Sequence, residues 1–254
     1  MKRLSKKVKK AYGIAVHLPR LVAPKTPLFL ISHMRARTTL LSHILGSSPE
    51  ICGHNETHFN YHGRSSYIGL KLELISEENF DHARYLHDKI LHNHDVVKQR
   101  FIKKLRPKII IVIRSPLPTI NSIHIMNKKA HNEWPVDKTV SYYLNRLAYI
   151  RAFAKKNAKN YMFVNSDDFM REPDHYLNTI TNYLGLKKPL TKNYKVFNDT
   201  GTAGKGDPSS NIQAGKIINT EEKKSQKIVL PEETTLKLDA EFNQTKELLI
   251  LNSI

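Results

Sequence analysis

The sequence predicts an α/β chain with three layers, α/β/α, around a central parallel sheet. Three observations carry that expectation. Short apolar runs such as "PLFLIS" (27–32) and "KIIIVIR" (108–114) have the length and unbroken hydrophobicity of strands buried on both faces. Segments with apolar residues at helical spacing fall between such runs. Strands separated by helices pair in parallel through right-handed crossovers. A length of 254 residues suffices for one sizeable core, so a single domain over 26–254 is expected behind a basic leader, 1–25.

Each element follows from its residues. The start, "MKRLSKKVKKAYGIAVHLPR", has a basic head but no apolar core before Pro19 and Pro24, so a cleaved signal peptide is not expected. It reads as a frayed leader, or as a peripheral contact to an anionic membrane or polyanion. After the first strand, Leu40, Leu41, Ile44 and Leu45 fall on one helical face, and Gly46 with Pro49 stops that helix. "HNETHFNYHGRSSY" (54–67) has no clean period and reads as a loop that lines a site. A mixed helical stretch from about Ser76 to Asp88 then leads into the brief "KILHN". The run 108–114 is the strongest strand, and Pro116 opens a helix carrying Ile120, Ile123 and Met126. A longer amphipathic helix covers 140–156, and "YMFVN" (161–165) is another strand. In "EPDHYLNTITNYLGL", Tyr176, Leu177, Ile180, Tyr183 and Leu184 share a face, with Gly185 as the cap. Residues 198–216, rich in Gly, Ser, Asn and Asp, form a loop, and a last helix runs from about Pro231 to Leu251.

Charge narrows the function classes. Lys and Arg number 41 against 23 Asp and Glu, a net +18, which favours polyanionic partners without choosing among nucleic acid, acidic membrane, phosphorylated or sulfated ligands, and nucleotides. Cys52 is the only cysteine, which excludes an internal disulfide or a multi-cysteine zinc site and fits a reducing compartment. No run of about 18 apolar residues occurs. The expected location is cytoplasmic, or peripheral at a membrane surface.

Chemistry enters at "LFLISHMRARTTLLSHILGSSPE" (28–50), where a strand runs through a short loop into a helix. Helix N-termini offer unpartnered N–H groups and the positive end of the dipole, a ready anion site. Amides near Arg37, Thr38 and Thr39, both hydroxyls, and Arg35 or Arg37 could cradle a phosphate. The competing reading is a helix cap with solvated arginines. The GxxxxGK[ST] pattern is absent. A second cradle is offered by Arg114, at the end of the strongest strand, and Ser122, eight residues on. Both can face the crevice at the carboxyl ends of the strands, where such sheets bind ligands.

The combination resembles the sulfotransferases that use 3′-phosphoadenosine 5′-phosphosulfate (PAPS). "RARTT", Arg35 to Thr39 with Ala36 between, is in register with the family's first motif, which binds the 5′-phosphosulfate. Arg114 and Ser122 match the arginine and serine that bind the 3′-phosphate. "YMFVNSDDFMREPDHYLNTITNYLGL" is similar to the family's strand, acidic turn, proline and helix, with Asp167, Asp168, Phe169, Pro173 and "LGL" at 184–186. The resemblance covers roughly 26–190 and implies a P-loop-NTPase-like sulfotransferase fold, PAPS as co-substrate, an acceptor molecule, and no metal. It departs at Arg37, where the family has glycine, so the backbone there is expected to avoid a glycine-only conformation and the side chain to point outward or toward the ligand. Asn165 and Ser166 replace an aromatic and a glutamate, and only Lys205 and Gly206 in "GKGDPSS" correspond to the loop that covers the 3′-phosphate.

For sulfuryl transfer the resemblance implies Arg35, with Lys89 as a second cation, to stabilise the leaving oxygen. Two residues compete as general base. Glu56 resembles the glutamate of several branches, and His92, three residues after Lys89, resembles the histidine of a lysine–histidine pair. His54, His58 and His62, spaced by four, would be metal ligands only on a helix, which the absent apolar period argues against. The acceptor is expected to be a saccharide, lipid or small metabolite with a hydroxyl or amine. Two rival functions remain: a P-loop-type kinase, opposed by the missing glycine–lysine pair, and a non-catalytic nucleic-acid or polyanion binder, opposed by aromatics that fall at core positions. No nucleic-acid partner is therefore expected.

Overall fold

The computed structural model describes residues 18–129, 134–198, 200, 211–218 and 228–254, with the side chain of residue 129 excluded. Most of the basic leader, and Lys205 with Gly206, lie outside the described residues. In chain order the elements are α1 (Leu18–Val22), β1 (Thr26–Ser32), α2 (Thr38–Gly46), β2 (Ile51–Cys52), α3 (Arg64–Leu74), β3 (Tyr85–Ile90), α4 (Gln99–Leu105) and β4 (Lys108–Ile113). They continue with α5 (Pro116–Lys129), α6 (Val136–Lys156), β5 (Met162–Asn165), α7 (Ser166–Arg171), α8 (Pro173–Leu184), a 3₁₀ turn at Ile212–Ala214, and α9 (Glu232–Asn252).

The sheet has the order β2-β3-β1-β4-β5, and all four pairings are parallel. β1 lies at the centre, with Leu30 opposite Lys89 on β3 and Ile110 on β4. Side chains alternate along each strand and divide the core in two. Phe29, Ile31, Ile109, Ile111 and Ile113 pack under α3 to α6 and α9, whereas Leu28, Leu30, Ile110, Val112 and Val164 pack against α2, α7 and α8. The expected three layers are thus the observed ones.

One strand was hidden in the sequence. The stretch from Ser76 to Asp88, expected to be helical, instead passes through turns into β3, and the helix lies earlier, at Arg64–Leu74, beginning within the last four residues of the segment expected to be loop. "YLHDKI" is buried throughout, yet half of it is polar: His87, Asp88 and Lys89 are each at most 1% exposed. A strand that carries buried polar groups loses the apolar signature by which parallel strands are read.

At the near end, α1 buries Leu21, and the Lys71 ammonium donates to the carbonyls of Leu21 and Ala23, fastening this segment to α3. Among the described residues, no helix is long and apolar enough to cross a membrane.

Candidate active site

The loop between β1 and α2 is strained where it matters. Arg35 and Arg37 both have positive φ, 63° and 59°, in the left-handed region that bulky residues seldom enter. Contrary to the expectation at this position, Arg37 enters the left-handed region that glycine occupies without strain. Its side chain turns toward β5: Nη1 donates to Asp167 at 2.8 Å and to the Ser166 hydroxyl at 3.1 Å. As the residue before α2 it makes no side-chain cap, and neither threonine is the cap that the rival reading required. Among the described residues, the first amides of α2 thus have no side-chain cap from Arg37.

The two cradles meet. Arg35 Nε donates to the Ser122 hydroxyl at 2.9 Å, and Arg114 Nη1 donates to the Arg35 carbonyl at 3.2 Å. Asp167 joins both sides, 3.6 Å from Arg114 Nε and accepting the Ser115 amide at 2.9 Å. Burial pushes the Asp167 carboxyl up, but the hydrogen bonds from Arg37 and Ser115 outweigh it and hold the group below its ordinary range. Beneath, His33 accepts the Arg114 amide at Nε2 and donates from Nδ1 to the Met34 carbonyl. Burial pushes this imidazole down to about 4, so it stays neutral.

Arg35, Arg37, Thr38, Thr39, Arg114 and Ser122 line one cavity of about 270 Å³. Tyr194, Asn211, Ile212 and Lys216 close its far side, so among the described residues the lining carries four cations and no acidic residue. The segment near Lys216 is held by backbone bonds from Tyr194 to Gly215 and from Ile217 to Lys192. Sequence reading stopped at Lys205 and Gly206 in the same loop. Lys216, the final residue of that loop, had no motif to single it out.

A second cluster sits at the carboxyl end of β3. Lys89, 1% exposed, pairs with Glu56 at 3.3 Å, and His92 Nε2 lies 4.0 Å from the other Glu56 oxygen. A buried ammonium requires such an anion. Burial lowers the His92 pKa, against the raising fields of Glu56 and Asp95. The Glu56 loop is anchored by Asp88, whose carboxylate accepts the Thr57 amide at 2.9 Å and the Thr57 and Tyr61 hydroxyls at 2.6 and 2.5 Å. Its pKa is pushed up to about 6 by burial. Glu56, Lys89 and His92 thus come together, although none of them lines the cavity.

α6 joins the two clusters. The Tyr142 hydroxyl accepts the Met34 amide at 2.9 Å and donates to the Leu91 carbonyl at 3.2 Å. Arg146, fully buried, donates to the carbonyls of Ser32 (2.8 Å) and Ile90 (2.5 Å) and to Asn93 Oδ1 (2.9 Å). It ties the ends of β1 and β3 to the loop that bears His92. Sequence reasoning passed over it, although a signal existed: Arg146 falls on the apolar face of α6, between Tyr143 and Ile150.

No protein-family model matches the chain, and no curated protein matches it in sequence. Solved structures do. The sulfotransferase domain of the Synechococcus PCC 7002 olefin synthase aligns with a TM-score of 0.59 at 21% identity, covering 87% of this chain and 95% of that one. A sulfotransferase from Alicyclobacillus acidocaldarius aligns with a TM-score of 0.53 at 15% identity, covering 91% and 98%. The fold implied by the three sequence motifs is the fold found: the chain has the architecture of sulfotransferases.

Proposed function

We propose that the chain is a PAPS-dependent sulfotransferase that moves a sulfuryl group to a hydroxyl or amine of a saccharide, lipid or small metabolite. The observation that carries this reading is the single cationic cavity in which the Arg35–Thr39 loop meets Arg114 and Ser122. Two separate cradles on one nucleotide suit a ligand with phosphate at both its 5′ and 3′ ends.

In the transfer, the bond between sulfur and the bridging phosphate oxygen breaks as the bond from sulfur to the acceptor oxygen or nitrogen forms. Adenosine 3′,5′-bisphosphate leaves. Arg35 and the α2 amides stabilise the charge that grows on its bridging oxygen. Arg114 and Ser122 hold the 3′-phosphate and set the line of attack. Glu56 takes the acceptor proton, with the Lys89 ammonium 3.3 Å away, and neutral His92 stands beside it as the alternative base.

Calorimetric titration with adenosine 3′,5′-bisphosphate, beside ATP and 5′-AMP and without magnesium, tests the reading. Selective binding of the bisphosphate in the micromolar range supports it and justifies acceptor screens with labelled PAPS. Preference for ATP, or no binding, refutes it.

A further inference from the structure

His54, His58 and His62 do not share a helix face, because residues 53–62 form no helix. His54 is buried and stacked on Phe197 with ring centres 3.7 Å apart, and His62 is exposed. His58 instead meets two residues of the loop after β3. Its Nδ1 lies 3.9 Å from Asp95 Oδ2, and His94 Nε2 lies 3.5 Å from Asp95 Oδ1. The three ligand atoms fall within 4.8 Å of one another.

Asp95 makes the cluster more than a surface coincidence. The residue is 1% exposed, and neither carboxylate oxygen has a hydrogen-bond partner among the described residues. Buried carboxylates are ordinarily hydrogen-bonded or neutralised by a cation. Both oxygens face exposed imidazoles. His92 stacks on His94 with centres 5.0 Å apart and planes within 5°, which helps fix the orientation of that ring.

We propose that His58, His94 and Asp95 form a mononuclear site for a divalent first-row transition metal ion, with Zn²⁺ as the best fit. Ligands about 2.1 Å from zinc sit roughly 3.4 Å apart in a tetrahedron, so the cluster closes around an ion with shifts of about 1 Å or less. Two imidazoles and one carboxylate are borderline donors suited to zinc and its neighbours rather than to calcium or magnesium. The exposed side leaves a fourth position to water. The ion would fasten the Glu56 loop to the His92 loop at their tips, beyond the existing Tyr61–Val97 bridge and the bond from the Val96 amide to Asn60. The site is independent of the sulfuryl-transfer reading and stands or falls separately.

The test uses the full chain, stripped of metal with a chelator. Zn²⁺ is titrated in competition with a chromophoric chelator, and Co²⁺ is followed by its visible absorption. The expected result is one ion per chain, with the bands of a low-coordinate Co²⁺ site. His58→Gln and His94→Gln should each weaken Zn²⁺ by more than the about 100-fold typical of outer-shell changes, and abolish the bands. His62→Gln should leave both unchanged. Because both histidines are exposed, their variants keep the test valid even if Asp95→Asn fails to fold. Absence of stoichiometric binding, equal affinity in wild type and both variants, or an equal loss with His62→Gln would overturn the proposal.

Discussion

The Arg35–Arg114 cavity and the Glu56 cluster lie at the same edge of one sheet but are built in opposite ways. The cradle is cationic and open, lined by Arg35, Arg37, Arg114 and Lys216, with one acid, Asp167, holding the arginines in place. The cluster is compact and mixed in charge, with buried Lys89 and Asp88 paired to groups from other loops. A cavity in which cations outnumber acids suits a ligand that brings its own anions. The Glu56 cluster instead balances its charges internally, as buried ionised groups require.

The largest expected effect sharpens the chemical half of this comparison. Glu56→Gln should lower turnover by about 10²–10⁴-fold, the range of general-base removal, while His92→Gln should lower it by less than about 10-fold. Steady-state rates with labelled PAPS decide it, with urea unfolding run beside because the substitution leaves Lys89 facing a neutral amide. The reverse order would move the proton to His92.

Arg146→Ala should damage both regions at once. Ser32, Ile90 and Asn93 would lose their donor, and stability should fall by about 3–5 kcal/mol in urea unfolding. A loss below about 1 kcal/mol would deny the link between the clusters.

Within the cradle, Arg35→Ala should cost about 10²–10³-fold in kcat with a smaller change in bisphosphate affinity, as expected of a group that acts on developing charge. Arg114→Ala should act the other way, weakening bisphosphate binding by roughly 30- to 100-fold, as for a lost charged hydrogen bond. Calorimetry and rates on both variants separate the roles, and equal, negligible effects would sink the assignment.

A further effect, one of pH on stability, concerns groups beneath both regions. Burial depresses His33 to about 4 and His87 to about 3, from an ordinary value of 6.5. Both are neutral in the fold, whereas the unfolded chain takes up protons below 6.5. Stability from these groups is whole above that value and is lost as pH falls toward the folded values, by up to about 1.4 kcal/mol per pH unit for each histidine. Urea unfolding between about pH 7.5 and about pH 4.5 should show the decline, and a flat profile would contradict it.

Sequence by itself determined the architecture and the cradle. Unbroken apolar runs at 27–32 and 108–114 specify strands buried on both faces, and Arg35, Thr38, Thr39, Arg114 and Ser122 sit where chain order alone places them, at strand ends and helix starts. Such features are local, written in residues a few positions apart. Only the tertiary structure decided the rest. β3 was masked by its own buried His87, Asp88 and Lys89, and the glycine-like turn at Arg37 is held by Asp167, 130 residues away. The pairing of Glu56 with Lys89, the buried Arg146 between strand ends, and the meeting of His58 with His94 and Asp95 join segments far apart in the chain. Periodicity reports which face of an element is buried but not what is packed against it, so a buried charge and its partner become visible only once the elements are in place.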